Sequence, residues 1–156
     1  MSTPTIRAAR AADVPAIVRL LADDVLGSGR EGDPDDPVYA RAFAAIEASP
    51  DNALFVLDDD GVIVGCAQVT VVPGLSSRGA TRVLVETVRV ASERRGQGLG
   101  ARLMQHIVSM ARAAGCSTVE LTSNNRRLDA HRFYERLGFK KSHAGFKLPL
   151  GGGDAA

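Results

Sequence analysis

Behind Asp13, apolar residues recur at three- and four-residue steps, Ile17, Leu20, Leu21 and Val25, and this spacing predicts an amphipathic helix with Asp13 as its N-cap. A short strand, "TIRAAR", precedes it. The segment "SGREGDPDDP" concentrates Gly, Pro and Asp and must be a loop. "VYARAFAAIEAS" reads as a second helix stopped by Pro50. The period then shortens to two. "NALFVLDDDGVIVGCAQVTVVPG" predicts two strands joined by a tight turn at Asp60-Gly61, and "RVLVETVRVA" a further strand. Leu99, Leu103, Ile107 and Ala111 put a third helix through 98–114, closed by Gly115. "STVELTSN" reads as a strand, "LDAHRFYERLG" as a fourth helix capped by Gly138, and "FKKSHAGFKLPL" as a final pair of short strands. The order is β-α-α-β-β-β-α-β-α-β-β, with no repeat and no linker. Residues 1–150 are expected to form one domain, and 151–156, "GGGDAA", a disordered tail.

Composition narrows the class without naming a function. The 156 residues are 45% hydrophobic and 24% charged, ordinary values for a soluble globular chain. The start, "MSTPTIRAAR", lacks the apolar region of a signal peptide, and no apolar run approaches the ~20 residues needed to span a bilayer. The expectation is a cytoplasmic protein with no membrane partner. Cys66 and Cys116 stand far apart, outside any CxxC pair or metal-ligand spacing, and read as buried free thiols; no metal site is legible. Net charge is +1, yet residues 1–60 carry −7 and residues 61–156 carry +8. The basic part suits an anionic ligand, although two solvated faces explain the same division. With aromatic content at 4%, nothing beyond arginines points to a nucleic acid, and none is expected as partner.

"SERRGQGLGARL", residues 92–103, is the chemical feature of the chain. A Walker A loop would require Lys-Ser or Lys-Thr after the glycines, and neither is there. A dinucleotide fingerprint matches at Gly96, Gly98 and Ala101, but Ser92, Glu93, Arg94 and Arg95 separate the first glycine from the strand ending near Val90. Counting from Arg95 gives R-x-x-G-x-G through Gly98 and Gly100: glycines that let backbone N–H groups approach phosphate oxygens, ahead of a helix whose N-terminus faces the same anion.

In this motif, and in "VETVRVASERRGQGLGARLMQHIV" and "DAHRFYERLGF", the sequence resembles the GNAT superfamily of acetyl-CoA-dependent N-acetyltransferases, whose pyrophosphate loop is [QR]-x-x-G-x-[GA]. The resemblance covers residues 82–148; the first 60 match in element order alone. It implies an α/β (α+β) fold, a mixed twisted sheet of about seven strands flanked by about four helices. It also implies acetyl-CoA as cosubstrate, its pantetheine beside Val88, Arg89 and Val90 and its pyrophosphate on the amides of Arg95, Gly96, Gln97, Gly98, Leu99, Gly100 and Ala101. Asn124 and Asn125 would stand beside the cleft. Many members carry an asparagine seven residues before the helical tyrosine, where this chain has Arg127.

Amine acetylation needs a base, because an amine of pKa ~10.4 is protonated at neutral pH. Glu86 is the candidate: strand alternation would put it with Leu84, Val88 and Val90 on an apolar face, opposite Arg89. The same glutamate would serve as well in a salt bridge to Arg82 or another neighbouring cation. The resemblance makes the Val88 N–H the donor to the tetrahedral oxyanion. Tyr134 is the candidate acid for the departing thiolate, although periodicity alone puts it on a core stripe with Ala130 and Leu137. His131, one turn earlier, reads as a surface residue. The expected acceptor is a primary amine of a small molecule, attacked directly in a ternary complex. Asp23, Asp24, Glu31, Asp33, Asp35 and Asp36 would favour a cationic one. Aminoalkylphosphonate, protein or peptide amines, and acyl-CoA sensing without turnover are the alternatives. Family habit adds a homodimer to the assembly states open to the chain.

Overall fold

The structure is a computed structural model that describes residues 2–24 and 26–151; Val25 and the tail beyond Gly151 lie outside the described residues. The described chain divides into two compact units, one reaching Glu120 and the other beginning at Leu121.

Neighbours in the sheet follow chain order: β1 (Thr5–Ala8), β2 (Asn52–Asp59), β3 (Val62–Val72), β4 (Arg82–Val90) and β5 (Thr118–Leu121), all but Leu121 within the first unit. The first three pairings are antiparallel. The β2–β3 hairpin turns where expected, with Asp60 and Gly61 both at positive φ and the Asp58 carboxylate accepting the Gly61 N–H at 2.7 Å. Successive side chains on a strand face opposite ways. Leu54 packs with Val14 and Val18 of α1 (Val14–Ala22) and Phe43 of α2 (Pro37–Ala48). Phe55 instead meets His106 of α4 (Leu99–Ala113) edge-on, with ring centroids 5.0 Å apart. Thus α1 and α2 cover one face and α4 the other. Leu57, Val69, Val83 and Val85 are buried in the sheet, and Leu103, Met104 and Ile107 are buried on α4.

Asp13 stands at the N-cap of α1 as expected, but its side chain is engaged elsewhere. Its carboxylate accepts the Arg10 N–H at 2.7 Å and pairs with Arg7, closing a 3-10 turn (Ala11–Asp13) instead of capping α1 by its side chain. Asp36 does cap α2, taking the Val38 N–H at 2.9 Å ahead of Pro37. Between β3 and β4 a short turn the periodicity did not predict, α3 (Ser76–Gly79), holds Ser77 and Arg78 in the left-handed region. Cys66 is buried as expected, whereas Cys116 is only half-buried.

In the second unit α5 (Leu128–Arg136) forms on the expected residues. It ends with the Phe139 N–H on the Tyr134 carbonyl (3.1 Å) and the Gly138 N–H on that of Glu135 (3.0 Å). α4 closes in the same motif at Gly115 and Cys116. The final pair of strands is not present: 139–150 carries no strand, and Phe146, Leu148 and Leu150 are 94%, 83% and 90% exposed. Alternation alone does not make a strand when neither a ladder nor a buried face rewards it.

Candidate active site

Thr87 breaks β4. Across from it the register runs Val69 to Val85 and Gln68 to Glu86, then resumes at Cys66 with Arg89. One residue of β3, Ala67, thus faces two of β4, Thr87 and Val88. Thr87 takes a φ of 53°, unusual for a β-branched residue, and the extra residue makes a β-bulge. This overturns the simple alternation expected for β4. The buried positions are Val83 and Val85, and the bulge brings Arg89 to the same face as Glu86 rather than the opposite one. That face is the one α1 and α2 cover further along the sheet.

Glu86 is itself exposed, across from Gln68. The salt bridge to Arg82 is not made: Arg82 pairs with Glu120 at 3.3 Å, and among the described residues no ion pair to Glu86 is present. Arg89 turns toward α1, its Nε 3.2 Å from the Asp24 carboxylate and its Nη1 donating to the Val88 carbonyl at 2.8 Å.

The arginine–glycine loop follows directly. A 3-10 turn (Ser92–Arg94) leads to Arg95 in extended backbone, and Gly96 and Gly98 have φ of 76° and 75° before α4 begins at Leu99. A Cβ at either glycine would meet no atom within 4 Å, so backbone conformation rather than crowding calls for glycine there. The first intrahelical bond of α4 runs from the Arg102 N–H to the Gly98 carbonyl at 3.1 Å. The amides of Leu99, Gly100 and Ala101 therefore have no acceptor within the helix, the arrangement that suits an anion. Leu99 is buried and anchors this first turn.

The two arginine side chains at the start of the loop find partners within the protein. Arg95 donates to the carbonyls of Val90 (3.2 Å) and Asp23 (3.3 Å), tying β4 to the end of α1. Arg94 pairs with Asp59 and donates to the Gln97 side chain at 3.0 Å. What the loop offers an anion is chiefly its backbone.

Much of the acidic segment serves its own fold. Asp24 holds the Gly27 N–H and Arg89, Asp23 accepts the Ser92 N–H at 3.3 Å, Asp33 that of Asp35 at 2.9 Å, and Glu31 pairs with Arg30. In the second unit, Tyr134 lies between Phe133 and Phe139, ring centroids 5.1 and 5.8 Å away. The Asn124 side chain accepts the Arg126 N–H at 2.9 Å, and its carbonyl meets His131 Nε2 at 2.9 Å, while Asn125 is exposed. His131 thereby pins the start of α5. Sequence reasoning missed the side-chain roles of Arg89, Asp24 and Cys66. An arginine set among strand valines was the available signal.

A bulged strand, a left-handed glycine loop and a helix N-terminus with open amides stand in this order in the first unit. The Acetyltransferase (GNAT) family matches residues 15–139. This chain belongs to that family. It is 41% identical over 66 residues to the aminoalkylphosphonate N-acetyltransferase of Salmonella typhimurium, covering 42% of this chain and 43% of that one. It is 30% identical over 125 residues to the streptothricin acetyltransferase of Streptomyces lavendulae, covering 80% and 58%. The chain thus spans about half the length of these curated relatives. A crystal structure of a transcriptional regulator from Bacillus halodurans C-125 superposes with a TM-score of 0.91 at 43% identity, over 94% of this chain and 99% of that one. An acetyltransferase from Trypanosoma brucei does so with 0.77 at 27%, over 94% and 99%. The GNAT fold here has five strands in its sheet among the described residues, fewer than the seven expected.

Proposed function

We propose that this GNAT chain transfers an acetyl group from acetyl-CoA to the primary amine of a small molecule. The observation that carries the reading is the loop after β4, where two left-handed glycines deliver the open amides of Leu99, Gly100 and Ala101 at the start of α4. A pyrophosphate is the anion that fits such a row of N–H groups, with Gly96, Gln97 and Gly98 completing the cradle. The bulge supports a thioester arm alongside: Thr87 and Val88 stand outside the ladder to β3, and with their carbonyls taken by Cys66 and Arg89 it is the Val88 N–H that the strand offers a ligand.

Glu86 takes the proton from the ammonium form of the acceptor, directly or through one water, and the freed amine attacks the thioester carbonyl. Its exposure and its independence from Arg82 support this role over a structural one. The oxyanion receives the Val88 N–H, the C–S bond breaks, and the phenol of Tyr134 gives its proton to the thiolate before being restored from solvent. Transfer without an acyl-enzyme is supported at Cys66, whose burial pushes its thiol up to about 12 and keeps it a poor nucleophile. Relatives named for aminoalkylphosphonates, streptothricin and glucosamine 6-phosphate support a small-molecule acceptor.

A second reading, acyl-CoA binding without turnover, draws on one observation: the 43%-identical neighbour is named a transcriptional regulator. Mass-spectrometric assay of amine panels with acetyl-CoA separates the two. Product that disappears in Tyr134→Phe, with cosubstrate affinity kept, supports the enzyme. Binding with no product from polyamines, amino sugars, aminoalkylphosphonates, amino acids or peptides supports the sensor.

A further inference from the structure

A bulge gives up ladder hydrogen bonds, and the peptide groups it releases must find other partners or swing. Here two side chains take the carbonyls. Cys66, fully buried opposite Arg89, donates its Sγ–H to the Thr87 carbonyl at 3.4 Å. The Arg89 guanidinium donates to the Val88 carbonyl at 2.8 Å and is itself held by Asp24 at 3.2 Å, with both side chains of that pair about 15% exposed. A trans peptide points its C=O and N–H in opposite directions. Fixing the Thr87 carbonyl on Cys66 therefore aims the Val88 N–H away from the core, and fixing the Val88 carbonyl holds the next plane.

We propose that Cys66 and the Asp24–Arg89 pair are positioning residues, which lock the two peptide planes of the bulge and so set the direction of the Val88 N–H. The inference rests on the acetyl-transfer reading for its consequence in catalysis, since Val88 is there the oxyanion donor. It also couples the end of α1 to that donor, because Asp24 stands two residues past the last residue of α1. A buried thiol suits this role, since burial keeps it protonated, hence a donor, against the opposing pull of Arg89.

Two kinds of variant test this, with stability recorded for each. In Arg89→Met combined with Asp24→Asn, which leaves no carboxylate without its cation, amide exchange at Thr87–Val90 should rise about tenfold or more while the β2 amides keep their rates. The kcat should fall about tenfold with the KM for acetyl-CoA within about threefold, since the lost effect is on transition-state geometry. Cys66→Ala should move both readouts in the same direction, and Cys66→Ser, which keeps a donor, should recover them. Wild-type exchange at Thr87–Val90 in both Cys66→Ala and the Arg89 variant overturns the proposal. So does faster exchange with unchanged kcat, or a loss explained by unfolded protein alone. If the wild type shows no acetyl transfer, the acetyl-transfer reading fails on its own, and exchange without cosubstrate still decides whether these side chains hold the bulge.

Discussion

Thr87, with its φ of 53°, decides more of this site than the residues around it that carry charge. Alternation in β4 predicted a face made of Leu84, Glu86, Val88 and Val90; the bulge ends that face at Glu86 and brings Arg89 round beside it. No local sequence signal marks such a bulge, because threonine is an ordinary strand residue and only the pairing with β3 reveals the extra position. Glu86 was proposed from the need for a base, whereas the pairing of Arg82 with Glu120 instead of Glu86 came only with the structure. Glu86→Gln should lower kcat about 10²–10⁴-fold with acetyl-CoA affinity unchanged, read by steady-state kinetics and calorimetry. Gly98→Ala puts a Cβ on a residue at φ 75°. It should cost about 1 kcal/mol of stability, seen in thermal melts, and weaken acetyl-CoA binding by disturbing the loop.

The helices were the readable elements. α4 and α5 present strong 3.6-residue periodicity and end in glycine motifs, and both begin within a residue of the expected position. Leu103 and Ile107, two of the residues whose spacing predicted α4, are fully buried, and Leu103→Ala should cost about 2–5 kcal/mol in denaturant melts. A smaller loss would mean that α4 is less firmly seated than its burial shows. The failure came at 139–150, where Phe146, Leu148 and Leu150 alternate as a strand would yet lie exposed. Strand formation depends on what lies across and beneath, which no single segment encodes.

Over the whole chain the division of charge, −7 then +8, invited a reading of one cationic and one anionic ligand. The structure spends much of that charge internally. Arg7 bridges Asp13 and Asp58 at 2.7 and 2.8 Å, joining β1, the first 3-10 turn and β2. Hydrogen bonding to Arg7 holds both carboxyls below their ordinary value. A carboxyl depressed in the folded state stabilises the protein above its unfolded pKa, near ~3.9, and the contribution is lost as pH falls through the folded value. Stability should therefore drop steeply below about pH 4, and Arg7→Gln should flatten that slope in urea melts taken at stepped pH. An unchanged slope would remove Arg7 from the acid response.

In the proposed reaction the loop from Arg95 to Ala101 holds the acetyl donor and Glu86 supplies the base. The most direct measurement is mass-spectrometric detection of acetylated product from acetyl-CoA and a panel of small-molecule amines, wild type beside Glu86→Gln. The wild type should form an acetylated amine and the variant at least about a hundredfold less, both proteins binding acetyl-CoA alike. Equal turnover in the two would contradict the role of Glu86, and a wild type that neither binds acetyl-CoA nor forms product would contradict the proposed reaction as a whole.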